Sequence, residues 1–149
     1  MRAMAIARQR QATRATGEAG FTLLELLVVL GILGLLAAFA APQVMSYLGK
    51  ARTEAAKLQI NAIASALELY SLDNGDYPLQ QVGLSALVRP PPGATRWNGP
   101  YLKKAEGLID PWGRPYGYRY PGRNGSFEVF SLGRDNAPGG SGENRDVTN

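Results

Sequence analysis

Acidic residues that could bind a hard cation are concentrated near the end of the chain, between Ser131 and Val147. Asp135, Glu143 and Asp146 lie there in a glycine-rich stretch without regular periodicity. Calcium takes about six to eight oxygen ligands from carboxylates and from the backbone carbonyls of bent loops. Glycine permits the positive φ angles that such bends need. The spacing does not match an EF-hand, so the residues alone leave two hypotheses: a calcium-binding loop, and a surface turn with solvated acids.

Histidine and cysteine are both absent from the 149 residues. Their absence excludes disulfides, thiolate-bound zinc, iron–sulfur clusters, cysteine nucleophiles and any mechanism with an imidazole base. The sequence also contains no G-x-x-x-x-G-K-[ST] motif for binding ATP phosphates. Catalysis would need a carboxylate pair or a serine–lysine arrangement, and no spacing singles one out. An enzyme is therefore the least favoured class of function.

One further acid, Glu25, is the only charged residue in the apolar run from Phe21 to Ala41. As a helix this run would extend about 30 Å, the thickness of the hydrocarbon core of a bilayer. A carboxylate costs about 2.5–3.5 kcal/mol at the centre of a membrane helix and less near its end. Glu25 therefore either reaches the interface from the helix end or pairs with a cation that the run itself does not supply.

Basic residues precede the apolar run and predict its orientation. Residues 1–20 contain four arginines and one glutamate, which supply +3 of the net charge of +4. The positive-inside rule keeps this flank in the cytoplasm and places the chain after Ala41 on the other side of the membrane. The remaining 12 basic and 11 acidic residues leave a charge of +1. Basic and acidic residues alternate after the apolar run, so no nucleic-acid partner is expected.

Helical periodicity resumes directly after Pro42, at the end of the apolar run. Apolar residues then recur at steps of three and four, as on one face of a helix; they are Val44, Tyr47, Leu48, Ala51, Ala55, Leu58, Ala62, Ala66, Leu67 and Tyr70. We predict one long helix from Phe21 to about Leu72, apolar on all sides in its first half and on one side in its second. Proline removes a helical hydrogen bond, so we expect a kink or local melting near Pro42.

The rest of the chain predicts turns and short strands. Gly83–Val88 is typical of a short helix or turn, and Pro121–Gly125 of a hairpin between strands Tyr116–Tyr120 and Phe127–Ser131. Several aromatic residues beside these turns are expected in the core rather than in a ligand-stacking site; they are Trp112, Tyr116, Tyr118 and Phe130. The predicted fold class is α+β, with two or three antiparallel strands packed on the second half of a long helix.

Three interpretations fit the N-terminal segment. A secretory signal peptide would use Ala38-Phe39-Ala40 as its cleavage site, and an uncleaved signal anchor is the second interpretation. The third rests on the junction Gly20-Phe21-Thr22-Leu23-Leu24-Glu25, which resembles the signal of type IV pilins and type II secretion pseudopilins. The resemblance implies that a prepilin peptidase removes residues 1–20 by cutting between Gly20 and Phe21, and that it methylates the new amino terminus.

The same resemblance implies roles for Glu25 and Pro42. Glu25 would pair with the charged amino terminus of Phe21 on a neighbouring subunit, which requires cleavage because an uncleaved chain has no amine there. Pro42 stands where helices of this type commonly carry a proline. Residues 21–41 would form the transmembrane and assembly helix. Residues 42–149 would form a periplasmic globular domain, in a protein that crosses the bacterial inner membrane once.

Three segments of the globular end resemble the major pseudopilin of type II secretion, the general secretion pathway protein G family. They are Arg96–Lys104, Asp110–Tyr116 and Ser131–Asp135. This resemblance implies a pilin-like fold and a non-enzymatic subunit of a periplasmic fibre that drives proteins across the outer membrane. The implied partners are other copies of the chain, minor pseudopilins, prepilin peptidase, membrane lipid before assembly, and an inner-membrane assembly platform powered by a cytoplasmic ATPase.

Members of that family bind calcium in the loop that corresponds to Ser131–Val147. The resemblance matches Asp135 to an acidic ligand, the carbonyl of Leu132 to a backbone ligand and Asp146 to the acid shortly before the chain end. Gly142 stands where some relatives carry a second ligating aspartate. We therefore expect either that Glu143 or Asp146 completes the charge of a calcium site, or that calcium affinity is weaker than in those relatives.

Two other functions remain open at this point. A type IV pilin for adhesion or DNA uptake would share the N-terminal signal, but such pilins often link their C-terminal region with a cysteine pair, which this chain lacks. A soluble periplasmic binding module released after Ala40 is the other. The N-terminal residue of the membrane-extracted protein distinguishes them, because only a pilin-like subunit would begin at N-methyl-Phe21.

Overall fold

The computed structural model describes residues 20–149, which contain one long helix and a three-stranded antiparallel sheet. Helix α1 is Leu23–Asn74, and strands β1, β2 and β3 are Gly117–Arg119, Glu128–Ser131 and Val147–Thr148. Short 3-10 helices follow α1 at Gly83–Leu87, Ala105–Leu108 and Gly142–Asn144. The chain divides into two compact units, of which one ends at Ala40 and the other is Ala41–Asn149. The predicted α+β class is confirmed.

Helix α1 continues without a break through Pro42. Proline inside a helix costs about 3 kcal/mol or more because it lacks an N–H and its ring crowds the preceding turn. The residues before it include Ala37, Ala38, Ala40 and Ala41, and alanine has the highest helix propensity. Of the kink or local melting that we expected at Pro42, the local melting is wrong, because the backbone stays helical there; the kink stays a prediction.

The core of the unit Ala41–Asn149 forms where α1 packs on the sheet. Five fully or largely buried residues of α1 follow the spacing of one helix face: Ala56, Ile60, Ile63, Leu67 and Tyr70. They belong to one cluster with Leu84, Leu87, Tyr116, Tyr118, Phe127, Val129 and Val147. The expected burial of Tyr116 and Tyr118 is confirmed, and Trp112 packs against the cluster while partly exposed.

The buried stripe of α1 differs from the stripe that we predicted. Leu58 was expected in it and is 70% exposed, whereas Ile60 is completely buried. A second apolar stripe lies on the exposed side of the helix, and we call it the outer stripe: Val44, Leu48, Ala51, Ala55, Leu58, Ala62, Ser65, Leu69 and Leu72. Both stripes have steps of three and four, so periodicity alone merged residues from two different faces.

The sheet pairs β1 with β2 and β2 with β3. Gly117 lies opposite Phe130, and Arg119 lies opposite Glu128, with which it forms an ion pair. A Cβ atom at position 117 would come within 2.3 Å of the Phe130 ring, so any larger residue here would force that ring to shift. Phe130, which we expected in the core, is only partly buried and lies outside the core cluster; the guanidinium group of Arg119 lies 5.2 Å from its ring centre. The predicted hairpin is confirmed, with β1 shorter than expected.

Candidate processing, assembly and metal-binding sites

The expected cleavage site lies just before the start of α1. Gly20 and Phe21 are both exposed, Phe21 at 89%, and neither is part of the helix. A peptidase needs an accessible bond, and both residues of the Gly20–Phe21 bond are exposed and outside the helix. The rest of the expected leader, residues 1–19, lies outside the described part of the chain.

Thr22 and Glu25 form a reciprocal capping box at the start of α1. The amide N–H of Glu25 donates to the hydroxyl of Thr22 at 3.1 Å, and the amide N–H of Thr22 donates to Oε2 of Glu25 at 2.9 Å. The first amide groups of a helix have no partner within the helix, so these bonds satisfy two of them. The carboxylate also carries a negative charge at the positive end of the helix dipole.

Sequence reasoning missed this capping box, although its pattern is visible as Thr22-x-x-Glu25. The acid therefore has a local partner that neither of the two interpretations of Glu25 included. The amide and the hydroxyl of Thr22 both donate to Oε2 of Glu25, and because a carboxylate has several acceptor positions, these two bonds leave capacity for a further donor. Glu25 is held one turn from Phe21, the residue whose amine it is expected to meet in another copy.

The first part of α1 has the properties of a membrane span. By length and composition, α1 is the helix in the described residues that is long and apolar enough to cross a membrane. Every residue from Gly20 to Leu48 is exposed, whatever its side chain. A helix that is apolar on all sides must be covered by lipid or by other protein. This composition fits a membrane-anchored chain.

A tight turn holds the beginning of the C-terminal loop, which we define as residues 132–146. The buried carboxylate of Asp110 accepts hydrogen bonds from the amide of Arg114 at 2.8 Å and from the hydroxyl of Ser131 at 2.7 Å. The guanidinium group of Arg114 donates to the carbonyls of Gly133 and Arg134. Arg114 thus attaches the loop to the turn through side-chain to backbone bonds, and Asp110 binds the side chain of Ser131, the residue just before the loop.

These contacts also orient the peptide group between Leu132 and Gly133. The amide of Gly133 donates to the hydroxyl of Ser131 at 3.3 Å. This peptide bond is trans, and in a trans peptide the carbonyl points opposite to the N–H. The carbonyl of Leu132 therefore points away from Ser131. Leu132 and Asp146 line the same cavity, whose volume is about 210 Å³, together with Glu128 and the two arginines Arg119 and Arg123. Arg119 is already paired with Glu128.

Asp146 has one carboxylate oxygen in use and one without a partner. Its Oδ2 accepts a hydrogen bond from the amide of Gly139 at 3.0 Å. Its Oδ1 is buried and has no hydrogen-bond partner among the described residues. A buried, unpaired carboxylate oxygen is costly, and a bound cation would remove that cost. Asp146 therefore fits the expected role of a metal ligand.

The other acids of the loop are placed differently. Asp135 is exposed, and its Oδ1 accepts a hydrogen bond from the amide of Ala137 at 3.2 Å. Glu143 faces α1, where its carboxylate lies 3.8 Å from Arg52 and 3.3 Å from Arg134. Of the two acids that we expected to complete the charge, only Asp146 lines the cavity beside Leu132. No cluster of three acidic side chains that could hold a metal occurs in residues 20–149, so backbone carbonyls would supply most ligands.

The fold and the N-terminal junction together define a class of protein. Residues 16–41 match the prokaryotic N-terminal methylation motif, and these residues include the junction and the start of α1. A long helix after such a motif, packed on a small antiparallel sheet, is the architecture of a pilin-type subunit. Residues 43–149 match the family model of type II secretion system protein G.

Individual relatives agree with the family models over most of the chain. A type II secretion system core protein G from Pseudomonas aeruginosa is 49% identical over 136 residues, which cover 89% of this chain and 94% of that protein. Another core protein G, from Vibrio cholerae, is 42% identical over 135 residues, covering 89% of this chain and 91% of that protein.

A solved structure shows the same fold. The crystal structure of the major pseudopilin from the type 2 secretion system of enterohaemorrhagic Escherichia coli matches with a TM-score of 0.57 and 33% identity, covering 72% of this chain and 94% of that chain. The chain belongs to the type II secretion system protein G family. This membership confirms the resemblance found in the sequence and favours a pseudopilin over a type IV pilin or a released binding module.

Proposed function

We propose that this chain is a non-enzymatic structural subunit that polymerises through α1 into a periplasmic fibre, and that the fibre drives proteins across the outer membrane. The observation that carries the proposal is the uncovered apolar surface of α1. All residues from Gly20 to Leu48 are exposed, and so is the outer stripe as far as Leu72. Monomeric soluble proteins rarely expose so long a continuous apolar surface. Lipid covers the first part before assembly, and neighbouring copies cover it afterwards.

The outer stripe supports helix packing between copies. Its nine positions alternate steps of three and four from Val44 to Leu72, which is the spacing at which two helices interdigitate along a seam. The stripe contains alanines and a serine between its larger residues, and small residues allow helices to approach closely. The buried stripe is already occupied by the sheet, so the outer stripe is the face of the helix that remains for a second copy.

Processing prepares the helix for this assembly. Prepilin peptidase cuts between Gly20 and Phe21 and methylates Phe21, which then carries a positive charge. Glu25 offers this amine on a neighbouring copy a carboxylate that the capping box already holds at the helix start, with hydrogen bonds of 2.9 and 3.2 Å from Thr22. Pairing within the membrane offsets the cost of both charges. The basic flank keeps the cleavage site in the cytoplasm and places residues 42–149 in the periplasm.

The partners follow from this assembly. Copies of the chain form the body of the fibre, and minor pseudopilins and an inner-membrane assembly platform start and extend it. No nucleic acid is bound, since basic and acidic residues alternate along α1. The chain itself carries no motif for binding ATP, so energy for assembly comes from a separate ATPase.

We propose in addition that the C-terminal loop binds calcium through the carbonyl of Leu132 and the carboxylates of Asp135 and Asp146. The buried, unpaired Oδ1 of Asp146 is the structural observation that supports this proposal; the carbonyl of Leu132 and the carboxylate of Asp135 are included because the family resemblance implies them. The loop has little regular structure of its own, and Gly139, Gly140 and Gly142 all have positive φ angles. Calcium, when bound, supplies a cross-link between the two ends of such a loop.

The absence of cysteine provides a direct test of assembly through the outer stripe. A Leu58→Cys variant carries a single thiol in a chain that otherwise has none. We expect this thiol to react with a maleimide in the detergent-extracted chain and to be protected in fibres sheared from cells. Asn124→Cys, on the exposed hairpin loop, is the matched control and should react in both samples. Equal reactivity of Leu58→Cys in both samples would exclude the outer stripe as the contact.

A further inference from the structure

Gly49 is the one buried residue of α1 between Ala41 and Ala55, and it is buried by Glu143. A Cβ atom at position 49 would come to 2.4 Å from Cγ and 2.6 Å from Cδ of Glu143. No other side chain is as close to this position. The stem of Glu143 therefore lies directly on the helix backbone, and only glycine leaves room for it.

The carboxylate of Glu143 connects two arginines from different parts of the fold. Arg52, one turn after Gly49, lies 3.8 Å from Oε1, and Arg134, in the C-terminal loop, lies 3.3 Å from Oε2. Both arginine side chains are more than half exposed, whereas the Glu143 side chain is 21% exposed. Glu143 is thus the inner member of a small charge network that joins the loop to α1.

The backbone of Glu143 is attached to the same loop segment that carries the proposed ligands. Its carbonyl accepts a hydrogen bond from the amide of Arg134 at 2.8 Å, next to Asp135. Gly133 packs against this carbonyl with φ +67, and a Cβ there would lie 2.7 Å from the carbonyl oxygen. A second bond, from the amide of Asp146 to the carbonyl of Gly139 at 3.2 Å, closes the other side of the loop.

We propose that Glu143 is a positioning residue that couples the cation site of the C-terminal loop to helix α1. The inference rests on the calcium proposal above. A cation that binds Leu132, Asp135 and Asp146 together fixes the first and last segments of the C-terminal loop, which carry the backbone contacts of Glu143. Because Glu143 contacts Gly49 and pairs with Arg52, fixing Glu143 also reduces the mobility of this turn of α1. Coupling of this kind is reciprocal, so docking of Glu143 on the helix also strengthens calcium binding.

The experiment compares calcium affinity with hydrogen exchange in α1, using the full mature chain in detergent. Calcium affinity is measured by titration calorimetry, and exchange is followed in peptides that cover residues 44–55, with and without calcium. In the unmodified chain we expect calcium to slow exchange in these peptides. Glu143→Ala should still bind calcium, about fivefold more weakly, but calcium should no longer slow exchange there.

Two further variants separate the parts of the contact. Glu143→Gln keeps the stem on Gly49 and loses the charge, so it shows how much of the coupling depends on Arg52 and Arg134. Glu54→Ala is the control: it removes an exposed acid of α1 that makes no ion pair among residues 20–149. This variant should behave as the unmodified chain. A merely stabilising role for Glu143 would change exchange equally with and without calcium.

The outcomes distinguish the two proposals. If the unmodified chain gives no calorimetric signal with calcium, the calcium proposal fails and the coupling fails with it. If calcium binds to Glu143→Ala with unchanged affinity, or still slows exchange in residues 44–55 of that variant, calcium binding stands and the coupling is overturned. A loss of the calcium effect on exchange, together with retained but weaker binding, is the result that supports it.

Discussion

Replacing Leu58 with alanine should leave the fold stable and weaken assembly, whereas Ile60→Ala should destabilise the fold itself. The two residues are neighbours on α1, but Leu58 is 70% exposed and Ile60 is 0% exposed. Complete burial of a leucine side chain contributes about 1.5–3 kcal/mol. The isolated chain covers less than a third of Leu58, so Leu58→Ala should cost less than about 1 kcal/mol of unfolding free energy. Ile60→Ala creates a cavity in the core and should cost about 2–5 kcal/mol.

The effect on assembly is calculated in the same way. If a neighbouring copy covers the exposed part of Leu58, the contact contributes about 1–2 kcal/mol per subunit. Every 1.4 kcal/mol corresponds to a factor of about ten in an equilibrium constant. The concentration of Leu58→Ala needed for assembly should therefore rise roughly fivefold to thirtyfold.

Two assays measure the two effects. Urea unfolding of the detergent-solubilised mature chain, followed by fluorescence of Trp97 and Trp112, reports stability. The amount of fibre sheared from cells at matched expression reports assembly. A Leu58→Ala variant that yields as much fibre as the unmodified chain, or that unfolds as readily as Ile60→Ala, would refute the division of α1 into a core face and an assembly face.

Three further predictions concern the globular unit. Burial, and secondarily the charge of Asp110, raise the pKa of Tyr116 from 10.0 to about 12; stability should be complete below pH 10 and fall as the pH approaches 12, and Tyr116→Phe should reduce that fall in alkaline unfolding curves. Gly117→Ala should cost about 1–3 kcal/mol of unfolding free energy because its Cβ would meet the Phe130 ring, and Phe130→Leu in the same chain should restore part of the loss measured in urea. Millimolar calcium should raise the melting temperature of the unmodified chain in calorimetry, because calcium at 100 times its dissociation constant adds about 2.7 kcal/mol to the free energy of unfolding. Asp146→Asn should remove this rise, and an equal rise in both chains would contradict the proposed ligand.

Local sequence signals predicted the elements that depend on local chemistry. The hairpin between β1 and β2 followed from the turn residues Pro121–Gly125, and the long helix followed from the apolar period. The prediction left a third strand open but did not locate it, and strand β3 is that strand. It has only two residues, and it forms because Ser131 pairs with Val147 and the side chain of Asn149 accepts a bond from the amide of Val129 at 2.8 Å. Such pairing depends on tertiary contact rather than on local propensity.

The candidate sites also differ in whether the local sequence was enough to predict them. Gly20, Phe21 and Glu25 were located from a short contiguous motif, and the structure adds the capping box that the same residues could have revealed. In the C-terminal loop the sequence could not decide between Glu143 and Asp146, because both are acids in a glycine-rich segment. The choice depends on how the loop lies on α1, where Gly49 leaves space for one of the two side chains.

The central claim is that the chain is a processed pilin-type subunit, and the mass of the membrane-extracted protein tests it most directly. Intact-mass and N-terminal sequence analysis should show loss of residues 1–20 and an N-methylated Phe21 as the first residue. A Gly20→Arg variant, which changes the residue before the cut, should retain the leader and form no fibre. A first residue of Met1 or Ala41 in the unmodified protein would contradict the account.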